Sequence, residues 1–352
     1  MALDATNVDI YVKNAEDPIL ESFLNAVDFS IYGTVVTGIT QDQQIVYIGN
    51  LPNMLEQDGG CGTGNPVSAT ATQKQWNPRP FRGDVEQCES DLRGVALFRQ
   101  ANAAAANRPD LTRNDVFFSV ITQLLSDRTA FDAHKLAWFS DTAVTSPPLT
   151  SPALVPKYNI IDGLWKKFGD AVTAGDMVRI TIAANAEATK AAQLANLTAA
   201  DAYAALESLV DSADPRLFAR GLTPVIVLTR TMHNAIKKYI PAQSSVLEFG
   251  RLTRNADGSL FYDGIPLIAE PAWDSIIASD FVTDKGLPTE VLDRPHRMVL
   301  TVKENIQLGL GSGDDIMILK QGYDPREEVY YGKVKGWIDA EYNFDYLTVV
   351  AY

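Results

Sequence analysis

The sequence predicts an α+β fold hung on one long helix. Three observations predict it: an uninterrupted helical stripe over 112–140, a β-rich excursion over 42–92 before it, and aromatic strands over 318–352 that close the chain after a mixed α/β stretch. In the helix, Thr112 and Asp115 form a capping box, the hydroxyl serving a first-turn N–H and the carboxylate reaching back. Val116, Phe117, Val120, Ile121, Leu124 and Leu125 then recur at steps of three and four, and Phe131, Leu136 and Phe139 extend the stripe, with no Gly or Pro between. Such a helix is about 40 Å long, more than a compact domain needs for itself, so neighbours must lie along its length.

Composition bounds the rest. The 352 residues suffice for two or three domains, and 46% hydrophobic content is ordinary for a globular chain. No apolar run reaches membrane-span length. Met1-Ala-Leu-Asp-Ala-Thr-Asn7 has neither a basic start nor an apolar core, so no secretory signal is read and synthesis in a cytoplasm is expected. Thirty basic against 44 acidic residues give a net charge of −14, which argues against a protein that grips phosphate backbones.

In chain order, residues 1–30 are acidic, with Asp4, Asp9, Glu16, Asp17, Glu21 and Asp28 against Lys13 alone. Asp17-Pro18 caps a short helix with Ile19, Phe23 and Val27 on one face. Strands are expected over 31–39 and 44–48. Between Asn50 and Trp76, closely spaced glycines and small polar residues cannot build a core, so the chain makes an extended excursion, recovers strand character over 69–76 and 81–88, and turns at Asn77-Pro-Arg-Pro80. An excursion of this size suits a protein that reaches onto a neighbour, and residues 50–92 are expected to be dispensable for folding.

After the long helix, prolines 147, 148, 152 and 156 mark a linker. Helices follow from Tyr158 to Phe168 and, capped by Thr198 and Asp201, to Val210. Pro224–Thr229 reads as a buried strand, Arg230–Tyr239 as a helix, and Leu260–Tyr262, Ile265–Ala269 and Met298–Val302 as strands. At the end, Glu328–Tyr331 and Trp337–Val350 are aromatic and strand-like, with Asp339, Glu341, Asn343 and Asp345 on a wet face alternating with Ala340, Tyr342, Phe344 and Tyr346 on a buried one.

Chemistry is sparse. His134, His233 and His296 stand apart from one another, and His134 is read as structural. Gly309-Leu-Gly311-Ser-Gly313 lacks the third glycine of a dinucleotide loop and is followed by Asp314-Asp315, which would repel phosphate; it is read as a turn between strands. Asp314-Asp315 and Glu327-Glu328 are adjacent pairs whose side chains diverge on a strand, so they are read as solvated edges. Asn196-Leu-Thr198 matches a glycosylation pattern without a secretion signal to give it meaning. Cys61 and Cys88 lack metal-ligand spacing; they stand as a candidate disulfide across the excursion or as two reduced thiols, the latter preferred in a cytoplasm. No catalytic, cofactor-binding or metal-ligating residue is assigned.

Five segments carry a resemblance. They are Lys74-Gln-Trp76-Asn-Pro78 with Glu86-Gln-Cys88, Leu136-Ala-Trp138-Phe-Ser-Asp141-Thr142, Tyr158-Asn-Ile-Ile-Asp-Gly163-Leu-Trp165, Ile265-Pro-Leu-Ile268 with Pro271-Ala-Trp273-Asp274, and Asn305-Ile306-Gln-Leu-Gly309. In this order the chain resembles the major capsid proteins of tailed bacteriophages, the Hong Kong 97 fold, and among them those of phages and prophages of Bacteroidetes-type hosts. The resemblance implies an N-arm over 1–32, an E-loop over 42–92, a P-domain over 93–150 with its spine helix at 112–140, an A-domain over 151–317, and closing P-domain strands over 318–352. It implies no enzyme but a virion shell protein, made in the bacterial host cytoplasm, that self-assembles into hexamers and pentamers of an icosahedral head around double-stranded DNA. Its expected partners are copies of itself with portal, scaffolding and decoration proteins, and no membrane. An acidic arm starting at Met1 suggests that scaffolding is a separate protein or that no trimming is needed. Certain members of the fold cross-link a loop lysine to an asparagine of a neighbour, which would name Lys74 and Asn343; a solvated lysine is the plainer reading. Two rivals are an encapsulin-like nanocompartment with protein cargo and a cytoplasmic enzyme with an unrecognised site.

Overall fold

A computed structural model describes residues 29–40, 44–48, 71–88, 125, 128–219, 221–242, 251–255, 258–311, 317–324, 326–327 and 329–352. Of the long helix, Leu125 and residues 128–139 are described and helical, while Thr112, Asp115 and the stripe from Val116 to Leu124 lie outside the described residues, as do the short arm helix at Asp17-Pro18 and Cys61.

Two sheets share one core with this helix. The five-stranded sheet runs in the order Thr34–Ile39, Ile306–Gly311, Val329–Tyr342, Met317–Asp324, and Arg79–Cys88 also pairs with Val329–Tyr342. The first pair is parallel and the rest antiparallel. Val329–Tyr342, 14 residues long, is its axis, about 46 Å from end to end at the usual strand rise. Its alternation drives Ile338, Ala340 and Tyr342 into the core with Ile306, Leu308 and Leu310, where Leu136, Ala137, Trp138 and Phe139 meet them. Further along, a Cβ placed on Gly332 would stand 3.3 Å from Leu125 Cδ2. The helix therefore lies on the face of the closing strand, as its apolar stripe requires.

The seven-stranded sheet runs Val178–Ile180, Val349–Ala351, Met298–Val302, Pro224–Leu228, Ile265–Ala269, Leu260–Tyr262, Leu252–Arg254. Its central strands, Val349–Ala351, Met298–Val302 and Pro224–Leu228, are buried on both faces, which is why they read as continuous apolar runs, while the edge strands Val178–Ile180 and Leu252–Arg254 carry exposed residues. Val225, Val227 and Val299 point into the core shared with the long helix. Ile226, Leu228 and Leu300 point the other way, onto helices Ala199–Asp211 and Arg230–Ala242.

Several expectations need correction. The strand-like stretch Trp337–Val350, expected to alternate throughout, is divided between the two sheets. The chain leaves the five-stranded sheet at Tyr342, makes a 3-10 turn at Asp345–Leu347 and enters the seven-stranded sheet at Val349–Ala351. The helix expected to open at Tyr158 begins at Leu164, because Gly163 must remain extended and bare: a Cβ there would stand 2.9 Å from both Leu136 O and Ser140 N. Residues 29–32 form a helical turn before the first strand, which starts at Thr34 and not Ile31. Arg79–Cys88 pairs along all ten of its residues with the closing strand, so this part of 50–92 belongs to the folding unit and not to a dispensable loop.

Candidate functional site

The polar face of the closing strand is where the excursion is anchored. Gln44–Ile48 pairs antiparallel with Ala71–Gln75, and the chain then lays Lys74, Trp76 and Asn77 on the five-stranded sheet. Trp76 is buried against Gly309: a Cβ at that glycine would stand 2.6 Å from the indole Cζ3 and 2.6 Å from Ile39 Cδ1. Gly311 is likewise closed off by Trp337 Cβ at 2.9 Å. The glycines expected as a turn are therefore inside a strand, bare because large aromatics occupy the space above them.

Most of the face expected to be wet is dry, with Asp339 2% and Glu341 and Asn343 each 7% exposed, while Asp345 stays half-buried at the strand's end. Its charges are answered from two sides. Asn77 N–H donates to Asp339 Oδ2 at 2.7 Å, and Lys167 Nζ, from helix Leu164–Ala174, donates to Glu341 Oε2 and Ala340 O, each at 2.6 Å. Burial pushes the Asp339 carboxyl above its ordinary range, with Lys167 pulling the other way. Lys74 Nζ lies 3.4 Å above the Tyr342 ring and donates to Asp345 Oδ1 at 3.3 Å; burial lowers its pKa against the pull of that carboxylate.

Of the two residues named for a cross-link, Lys74 is thus engaged by its own chain. Asn343 donates from Nδ2 to Glu304 O at 2.9 Å. Cys88 is free and exposed at the end of its strand, while its candidate partner Cys61 lies outside the described residues.

Behind the sheet, three of the segments singled out in the sequence interlock. Trp138, Trp165 and Trp273 form one cluster, with centroids 4.5 Å apart for Trp138–Trp273, 5.2 Å for Trp165–Trp273 and 5.9 Å for Trp138–Trp165. Gly163 N–H donates to Ser140 O, Asp141 N–H to Tyr158 O, and the Thr142 N–H and hydroxyl both donate to Asp162 Oδ1. Asp274, one residue after Trp273, accepts from Arg230 N–H and Thr231 N–H at the start of helix Arg230–Ala242.

The residues ahead of the first strand are tied to the same cluster. Tyr32 Oη donates to Glu270 Oε2 at 3.2 Å, so His134 donates to the phenol from Nε2 at 2.7 Å, the phenol having one proton to give. Burial holds the His134 pKa down to about 3, so its contact with Glu270 at 3.8 Å is not an ion pair at neutral pH. His296 is buried too, donating from Nε2 to Gln193 O at 2.9 Å and accepting at Nδ1 from Thr231. The sequence marked neither bonding network, since their members lie up to 238 residues apart.

No group of three or more potential ligands able to hold a metal occurs among the described residues, and no helix among them is long and apolar enough to cross a membrane. Asp314-Asp315 and Glu328 lie outside the described residues.

No protein-family model and no curated protein matches the sequence. Solved structures do. A chain of the satellite phage P4 procapsid, which includes the size determination (Sid) protein, aligns over 96% of this chain and 98% of its own, with a TM-score of 0.50 at 11% identity. A chain of the capsid of cyanophage P-SCSP1u aligns over 91% and 86%, with 0.51 at 14%. One from the capsid of the empty GTA particle aligns over 93% and 89%, with 0.51 at 8%. This chain has the Hong Kong 97-type capsid fold. The likeness runs over nearly the whole of both chains.

Proposed function

We infer that the chain is the major shell protein of an icosahedral phage head, whose copies assemble as hexamers and pentamers around double-stranded DNA. The observation that carries this reading is the nearly complete two-way coverage of the P4 procapsid chain, which leaves little of either chain for another task. In this reading residues 1–32 are the N-arm, 42–92 the E-loop, 93–150 and 318–352 the P-domain, and 151–317 the A-domain. The anchor made by buried Trp76 with Lys74 and Asn77 beside it then serves as the root of the E-loop, fixing where the loop leaves its own subunit. The activity is architectural: function is affinity of the chain for itself, and no catalytic role is assigned.

The net charge of −14 fits a wall that encloses DNA without gripping it, because non-specific phosphate binding needs basic surface. The P4 procapsid is named with a size-determination protein, and by that likeness an accessory scaffolding protein is a partner we assign here, with portal and decoration proteins. The virion is the site of action. Expression of the full chain followed by electron microscopy of the purified material tests the reading: closed shells support it, and shells that purify with protein cargo and no nucleic acid support a nanocompartment instead.

A further inference from the structure

Lys167 stands over the closing strand between two carboxylates. Asp339 and Glu341 are two residues apart on Val329–Tyr342 and therefore share one face. The lysine Nζ lies 3.7 Å from Asp339 Oδ1 and 2.6 Å from Glu341 Oε2, and it donates to Ala340 O between them. The place is dry. Both carboxyls are buried, and Gly309, the cross-strand partner of Asp339, has the Trp76 indole where a side chain would otherwise stand. Phe168, next to Lys167 on helix Leu164–Ala174, packs on Tyr342, next to Glu341, with ring centroids 5.2 Å apart, so an aromatic contact holds helix and strand together at this point.

The two carboxyls are held differently. Asp339 Oδ2 accepts from Asn77 N–H at 2.7 Å and Oδ1 from Ala340 N–H at 2.8 Å, which fixes the plane of the group. Glu341 Oε1 accepts from Tyr342 N–H at 3.1 Å, and Oε2 is turned to the lysine. Two carboxylates facing one ammonium out of water repel each other. Burial, opposed by Lys167 and assisted by Glu341, pushes the Asp339 carboxyl toward its neutral form. An amine, a carboxyl with an N–H on each oxygen, and a second carboxylate bonded to the amine are the nucleophile, electrophile and base of an amide condensation.

We propose that Lys167 and Asp339 condense into an isopeptide bond within one chain, with Glu341 as the proton carrier. Glu341 Oε2 takes a proton from the Lys167 ammonium, and the freed Nζ lone pair attacks Asp339 Cγ. Asn77 N–H holds the charge that develops on Oδ2. Glu341 relays two protons in all from the nitrogen to Oδ1, the Cγ–Oδ1 bond breaks, and Oδ1 departs as water. One C–N bond forms, one C–O bond breaks, nothing is oxidised or reduced, and Glu341 ends as the carboxylate it began. The unlinked side chains described above are the reactants. The product ties helix Leu164–Ala174 to the closing strand of the same chain, so it is not the contact between copies considered for Lys74 and Asn343, and it does not depend on the shell-forming reading.

Intact-mass spectrometry of the purified full-length chain, followed by peptide mapping, tests the proposal. The wild-type chain should be lighter than its sequence by one water, with the peptide around Lys167 joined to the C-terminal peptide at Asp339. Lys167→Arg, which keeps the positive charge, and Asp339→Ala should both show the full mass. Glu341→Gln should slow the reaction by about a hundredfold or more and leave most of the chain unlinked at harvest. On a denaturing gel the linked wild-type chain should migrate ahead of Lys167→Arg. A wild-type chain of full mass after prolonged incubation at neutral pH overturns the proposal, whatever the variants do. So do a bond mapped to Glu341 in place of Asp339, loss of water that persists in Lys167→Arg, and a Glu341→Gln chain as fully linked as wild type.

Discussion

Asn305 shows how single residues set this architecture. Its Nδ2 donates to Phe344 O and Thr348 Oγ1, its Oδ1 accepts from Phe344 N–H, and its carbonyl accepts from Asn343 N–H. One buried side chain thus clamps the point where the chain passes from the five-stranded to the seven-stranded sheet. Asn305→Ala leaves those buried groups unmatched and should cost about 2–4 kcal/mol, read as a lower urea midpoint at unchanged slope. A loss under about 0.5 kcal/mol would show that the crossing holds without it. His134 supplies a pH dependence. Its folded pKa near 3 lies below the ordinary 6.5, so between those values the unfolded chain binds the extra proton. Stability from this group is therefore complete above about pH 6.5 and falls as pH drops toward 3. Buried His296, also depressed by burial, acts in the same direction. Unfolding free energy should drop between pH 7 and pH 5, and His134→Gln should flatten that slope; an unchanged slope would contradict the assignment. The sequence marked His134 as structural but not its partners, because periodicity reads neighbours along one element and cannot see Tyr32 or Glu270 arriving from elsewhere.

Elements with a strong local signal were legible in the sequence: the strand Pro224–Leu228 from its apolar run, the cap at Thr198–Asp201 from its spacing, the helix of 128–139 from its stripe. The closing strand shows why other features were not. Alternation over Asp339–Tyr342 reported two faces, but polarity alone could not say that Trp76 and Asn77 cover the second one and that Lys167 answers its charges. Gly309 and Gly311 read as a turn because glycine lacks a side chain in both settings, and only the indoles above them reveal the strand. Two predictions belong at this scale. Trp138→Ala removes the ring that touches Tyr32, Trp165, Phe168 and Trp273, and should cost about 3–5 kcal/mol in chemical denaturation; a near-neutral result would mean that the cluster is not the core. Ile48 and Ala71 are cross-strand partners, so a short Gly-containing turn in place of 49–70 can close the hairpin. That variant should melt cooperatively near wild-type temperature yet make no closed shells, and closed shells from it would detach assembly from the excursion.

At the scale of the molecule, one core is shared by the helix and both sheets, so the geometry between the excursion's root and the seven-stranded sheet is stiff. Stiffness matters for a shell, since an angular error in each copy is repeated around every ring. Many modest contacts, each smaller than an obligate interface, close such a structure cooperatively. Electron microscopy of the purified full-length chain across protein concentration and salt tests this most directly. The account predicts closed icosahedral shells built of hexamers and pentamers; a folded chain that remains monomeric at every concentration and salt tried, with no capsomers or shells, would contradict it.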